Sequence, residues 1–111
     1  MDTVWVVMTT FGDKEEASRV TKALVAEELI ACANLLPGAT SIYRWKGKIC
    51  EESEVVALLK TTANNLAELQ RVLAEKHSYE EPEILAFEVS GGSVGYLDFV
   101  RNATKSASLS K

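Results

Sequence analysis

The sequence predicts an α+β domain, and three features predict it. A long run of paired-strand character surrounds Lys46-Gly47, two stretches carry apolar residues at helical spacing, and short β-branched runs stand before and after them. The paired-strand run, Leu29 to Thr62, organises the rest. Two apolar, β-branched-rich arms flank Lys46-Gly47, and a Gly in the second loop position suits the positive φ of a two-residue hairpin turn. Counting outwards from that turn sets Arg44 opposite Ile49, Tyr43 opposite Cys50 and Ser41 opposite Glu52. An unbroken strand from Ile30 to Trp45 would run about 50 Å, whereas a compact domain of this length has a radius of gyration of about 13 Å. The hairpin therefore overhangs its own domain. Its outer part carries Ile42, Tyr43, Trp45 and Ile49, apolar surface that a two-stranded ribbon shelters only against another chain, so an oligomer is expected. Pro37-Gly38 bends the first arm rather than cutting it.

The remaining elements follow in order. Thr3 to Thr10 is mostly apolar and β-branched, as a central strand is. Asp13 with Glu16 three residues on forms a capping-box start, and Ala17, Val20 and Leu24 make the apolar stripe of a helix over about Lys14 to Glu28. The hairpin supplies strands near Ile30 to Arg44 and Ile49 to Thr61. Asn65 with Glu68 repeats the capping pattern before a helix lined by Leu66, Leu69, Val72 and Leu73, ending near Lys76. A loop, Ser78 to Glu83, leads to a strand over Ile84 to Ser90 whose Leu85, Phe87 and Val89 share one face. Gly91-Gly92 ends it, Ser93 opens a short last helix, and Thr104 to Lys111 reads as a frayed tail. The order β-α-β-β-α-β plus a helix is the split βαβ, ferredoxin-like arrangement: a four-stranded antiparallel sheet with helices on one face, in a single domain whose core runs from about residue 3 to about 103.

Composition narrows the functions. The 111 residues are 47% hydrophobic, enough for one core, and the net charge of -4 with 12 dispersed basic residues leaves no positive footprint for nucleic acid. No apolar run approaches the roughly 20 residues of a membrane span, and the N-terminal MDTVWVVMTT has an acid where a signal peptide is basic, so a cytoplasmic protein is expected. Cys32 and Cys50 are out of register and are expected as free thiols.

Signatures for nucleotide hydrolysis, esterase chemistry and dithiol redox are absent. A Cys-His pair would need His77 beside Cys32 or Cys50, with a cation to activate the thiol that the sequence does not place. Metal binding has more to draw on: His77, two thiols, the thioethers of Met1 and Met8, and the carboxylates Glu80, Glu81 and Glu83. Thiol and thioether favour Cu(I), imidazole with carboxylate a divalent ion such as Cu(II) or Zn(II). The plainer readings stand beside these. His77 suits a helix C-terminus, the cysteines serve as small strand hydrophobes, Tyr43 and Trp45 serve packing or an interface, and Lys60 ends a core strand or meets an anion.

The run ACANLLPGATSIYRWKGKI, the pattern E-x-E-V-x-x-L-L-K-T from Glu52 to Thr61, H-x-Y-E-x-P-E-I from His77 to Ile84, and Gly95-Tyr96-Leu97 closely resemble the CutA divalent cation tolerance proteins, from about Val4 to Val100. The resemblance implies a ferredoxin-like subunit in a tight homotrimer similar in architecture to the PII signal-transduction proteins, with the hairpins extending onto neighbours. It also implies a cytoplasmic protein tied to tolerance of copper and other divalent metal ions; it brings no settled biochemical activity, and with the catalytic signatures absent no enzyme is expected. Some members associate copper with a Cys at the end of the first strand and the His of H-x-Y; here the His is His77, while Thr9 aligns with the Cys and Met8 adjoins it. The ligand set expected for this chain is accordingly His77 with Glu81 or Glu83, and Cys32, Asn34, Tyr43, Trp45, Lys60, Tyr79 and Glu83 are expected to line an inter-subunit cleft. The alternative is a PII-like signalling or scaffold trimer that takes a small anionic effector or a partner protein, with Lys60 and Trp45 in the leading roles.

Overall fold

The computed structural model describes residues 2–106. Its elements are β1 (Val4–Phe11), α1 (Lys14–Ala26), β2 (Cys32–Trp45), β3 (Lys48–Thr62), α2 (Leu66–Lys76), β4 (Ile84–Glu88) and α3 (Val94–Asn102), with a short 3-10 turn, Ala63–Asn65, ahead of α2. The sheet order is β2-β3-β1-β4 and every pairing is antiparallel, the ferredoxin-like α+β arrangement.

The hairpin has the register expected of it. Arg44 pairs with Ile49, Tyr43 with Cys50 and Ser41 with Glu52. The turn holds Lys46 at φ 51° and Gly47 at φ 78°, the paired positive values of a tight turn whose twist matches that of its strands. The ladder shifts between Leu36 and Ala39, where Pro37 lacks a donor and Gly38 takes φ 86°, so β2 is kinked but continuous. The ribbon stretches the molecule to 46 Å against 29 and 24 Å across, and the radius of gyration, 14.7 Å, exceeds the value of about 13 Å for a compact chain of this length.

Side-chain alternation sorts the sheet into two faces. Val7 and Phe11 of β1, Val55, Ala57 and Leu59 of β3 and the partly buried Ile84 and Ala86 of β4 pack under α1 and α2 with Val20, Leu24, Leu29, Leu69 and Leu73. Burying each of those leucines stabilises the fold by roughly 1.5–3 kcal/mol. The opposite face is open along most of its length. Leu85 and Phe87, which do share a face, lie on this side about half exposed, so the core of β4 comes from its other two apolar residues. At the Val4 end α3 closes the open face through a second cluster of Val4, Ala31 and Val100.

Several local expectations need correction. The Asp13 cap forms, its carboxylate accepting from the Glu16 N–H at 2.8 Å, but Glu16 does not return to complete the box; its carboxylate accepts from the N–H and hydroxyl of Ser78 instead. Asn65 does not cap α2. Its amide donates to Thr62 Oγ1 and to the Lys105 carbonyl, and α2 grows out of the 3-10 turn. The expected frayed tail does not begin at Thr104, which is buried, nor at Lys105, whose N–H bonds the Glu28 carbonyl; the rest of that expectation, residues 107–111, lies outside the described residues. Among the described residues no helix is long and apolar enough to cross a membrane.

Candidate functional site

The residues singled out from the sequence do not form one site. They separate into two groups at opposite ends of the open face, with His77 standing behind one of them.

The first group surrounds a cleft of about 390 Å³ between the outer hairpin and the loop before β4, lined by Thr10, Tyr43, Trp45, Glu52, Glu54, Tyr79, Glu80, Glu81 and Glu83. Strand parity puts Ser41, Tyr43 and Trp45 of β2 and Glu52 and Glu54 of β3 on one side of the ribbon. Glu54 is buried, and both its oxygens are satisfied: Ser41 Oγ and the Tyr79 hydroxyl each donate to it at 2.6 Å. The Tyr43 hydroxyl donates to Glu52 at 2.8 Å. Each phenol is held protonated by the carboxylate it serves. The Glu52 bond, ahead of desolvation, pushes Tyr43 up to about 12, and burial followed by the Glu54 bond pushes Tyr79 up further. Five carboxylates with aromatic walls give the cleft strong attraction for cations.

His77 caps the C-terminal end of α2, but its imidazole is turned inward and fully buried. It stacks on Phe11 with centroids 4.6 Å apart and 7° between planes. Nε2 lies 2.6 Å from the Thr10 carbonyl and Nδ1 accepts from the Tyr79 N–H at 3.1 Å, which requires the tautomer carrying its proton on Nε2. Both nitrogens are therefore engaged, and the structure does not bring the ring together with Glu81 and Glu83 as a ligand set. Among the described residues no three His, Cys, Asp or Glu side chains converge to hold a metal ion. Thr9, the residue expected to align with the family's Cys, is buried with an unpartnered Oγ1, and Met1 lies outside the described residues.

The second group is Cys32, Asn34 and Lys60, joined by Tyr96 of α3. Cys32 and Lys60 are partners across β2 and β3, while Trp45 pairs with Lys48. Twelve residues of β3 thus separate Lys60 from the Trp45 level, about 40 Å within one chain. The two leading residues of the signalling alternative meet only if different copies bring them together. Cys50, opposite Tyr43, is far from Cys32, opposite Lys60, in the register, and no described contact joins a cysteine to His77. Bonding to Cys32, ahead of burial, pushes the Tyr96 hydroxyl up to about 12, so it stays a donor at neutral pH.

The sequence reading missed Glu52, Glu54 and Thr10 in the cleft and Tyr96 beside Cys32. The signal for Glu52 and Glu54 was present: once Ser41 is set opposite Glu52, parity places those carboxylates on the face of Tyr43. Nothing local ties Tyr96 to a strand 64 residues earlier.

Such a chain is a ferredoxin-like α+β protein with a carboxylate-lined cleft between an overlong hairpin and the loop before its last strand. The family described as CutA1 divalent ion tolerance protein matches residues 5–103, and the chain belongs to that family. The divalent-cation tolerance protein CutA of Thermus thermophilus is 42% identical over 99 residues, 89% of this chain and 96% of that protein. The human protein CutA is 39% identical over 105 residues, and there the match spans 95% of this chain but 59% of the human protein. Among solved structures, the divalent cation tolerance protein of Thermus thermophilus superposes with a TM-score of 0.89 at 41% identity, covering 92% of this chain and 99% of that one. CutA1 from Oryza sativa gives 0.90 at 33% identity, covering 93% and 94%.

Proposed function

We propose that this protein is a cytoplasmic homotrimer that takes up a divalent cation such as copper in its acidic cleft as passing cargo, without catalytic turnover. One observation carries the reading: five carboxylates, those of Glu52, Glu54, Glu80, Glu81 and Glu83, line a single cleft. Within one chain these donors do not close a resident metal site, which fits a modest affinity and a ligand set completed by a neighbouring copy. Glu54 is already saturated by Ser41 and Tyr79 and Glu52 serves Tyr43, so Glu80, Glu81 and Glu83 are the donors left for the ion. His77 stands one layer behind and joins them only if the Tyr79 N–H releases Nδ1.

The trimer rests on the ribbon. Ile42, Trp45 and Ile49 are more than half exposed on an arm extending beyond the core, and sister copies are the surface that shelters them. Isothermal titration with Cu(II) tests the cation reading, with light scattering on the same sample for the assembly. Glu81→Gln with Glu83→Gln should weaken binding by tenfold or more, on the order of two charge-assisted contacts. Unchanged heat in that variant overturns the cleft as the site, and a folded lone protomer at micromolar concentration overturns the trimer.

A further inference from the structure

The cation that the sequence could not place beside a cysteine is Lys60. Its Nζ sits 3.7 Å from Cys32 Sγ and donates to Asn34 Oδ1, and the Tyr96 hydroxyl approaches the same sulfur at 3.1 Å from the far end of the chain. Lys60 forms no ion pair among the described residues, so the anion nearest its half-buried ammonium is whatever Cys32 becomes on losing its proton. Three elements hold this arrangement. Cys32 and Lys60 are locked as register partners, the Ala31 N–H bonds the Lys60 carbonyl at 2.8 Å, and α3 is anchored by Val100 against Val4 and Ala31 and by Arg101 Nε donating to the Asp2 carbonyl at 2.7 Å. Cys50 offers a contrast within the same chain. It faces Tyr43 across the ribbon, with Glu52 two residues along on the same side, and no described hydrogen bond links it to an ammonium group.

We propose that Cys32 is a peroxide-reactive thiol, with Lys60 and Tyr96 as the groups that hold its thiolate and serve the leaving oxygen. The thiolate is the nucleophile in such chemistry, and the Lys60 ammonium and the Tyr96 hydroxyl stand where they would contact it. The Cys32 sulfur attacks one oxygen of a hydroperoxide, the S–O bond forms as the O–O bond breaks, and sulfur loses two electrons while the peroxide gains them. The departing hydroxide or alkoxide takes a proton from Lys60 Nζ or the Tyr96 hydroxyl, which face the same sulfur. The product is the sulfenic acid of Cys32, and two equivalents of a small-molecule thiol restore it: the first displaces water to form a mixed disulfide, and the second releases the Cys32 thiol and leaves as the small-molecule disulfide. Asn34 positions Lys60 and takes no part in the transfer. This inference needs neither the acidic cleft nor a metal ion.

The test uses the intact assembled protein, pulsed with hydrogen peroxide in the presence of a cyclic diketone that traps sulfenic acids, with both cysteine peptides read by mass spectrometry. Cys32 should be trapped on the order of tenfold faster than Cys50 at neutral pH. Lys60→Met should bring Cys32 to within about twofold of Cys50, while Lys60→Arg, which keeps the charge, should retain most of the advantage. A purely structural Lys60 would not separate Met from Arg while leaving the Cys50 rate untouched. Equal trapping at the two cysteines of the unaltered chain overturns the proposal, as does a Met variant as fast as the parent. If Lys60→Met fails to fold, the Cys32-to-Cys50 ratio in the unaltered chain and in Lys60→Arg decides.

Discussion

Replacing His77 by Ala separates a buried strut from an exposed ligand. The ring gives a hydrogen bond to the Thr10 carbonyl at 2.6 Å, receives one from the Tyr79 N–H at 3.1 Å, and stacks on Phe11 at 4.6 Å. The two hydrogen bonds, one buried and one partly buried, are worth about 1 kcal/mol each, and the ring pair adds roughly 0.5–1.5 kcal/mol. Stranding the Thr10 and Tyr79 backbone groups and leaving a void raises the expected loss to about 3–5 kcal/mol, a large share of the stability of any domain this size. Urea unfolding followed by circular dichroism, at one fixed protein concentration because the proposed assembly would couple to stability, measures it. His77→Gln, whose amide can still donate to Thr10, should recover about half. Cu(II) affinity, titrated in parallel, should fall far less than in the Glu81 and Glu83 variant. A stability loss under about 1 kcal/mol together with a tenfold fall in Cu(II) affinity would refute the buried placement, because the ring would then face the ion rather than the core.

Three other perturbations have definite signs. Thr9→Val removes the unpartnered buried Oγ1 at constant shape, and should stabilise by about 1–2 kcal/mol in the same urea assay. Gly47→Ala forces a side chain onto φ 78° at the hairpin turn and should cost about 1 kcal/mol; Lys46→Asn at φ 51° should gain a few tenths. Tyr43 and Tyr96 ionise in the folded state near 12 rather than 10.0, and Tyr79 is raised as well, so between those values the folded form binds more protons than the unfolded one. Their contribution is complete below pH 10 and is lost as pH climbs towards 12, so thermal midpoints should drop through that window, less steeply in Tyr96→Phe.

Much of this architecture was legible in the residues, because the hairpin writes its own register. One Gly at the turn and two arms of known parity fix every cross-strand pair out to Ala39, and Pro37-Gly38 marks where the count slips. The helices were legible from the spacing of Ala17, Val20 and Leu24, and of Leu69, Val72 and Leu73. Their caps were less so. The polar side chains at Glu16 and Asn65 had a choice between local backbone groups and partners far along the chain, and tertiary structure supplied the better ones at Ser78 and Lys105. The site was half legible for the same reason. Residue chemistry marked Tyr43, Trp45, Tyr79, Glu81 and Glu83, and they do share a cleft, but it could not say which way His77 points, since that depends on the Phe11 ring and the Thr10 carbonyl waiting behind it. Nor could it anticipate that Tyr96 would travel back to Cys32.

The fastenings of the cleft wall span long stretches of chain: Ser78 to Glu16 across 62 residues and His77 to Thr10 across 67. Closing loops of that size is slow beside zipping a ribbon from a two-residue turn. On a ribosome the ribbon is complete once Thr62 has emerged, before any of α2 or the wall that follows it. The greasy arm is thus born early and waits for its own wall and, in the trimer proposed above, for its sisters, so the hazardous interval falls during synthesis, when neighbouring nascent chains on one message are the closest company it has.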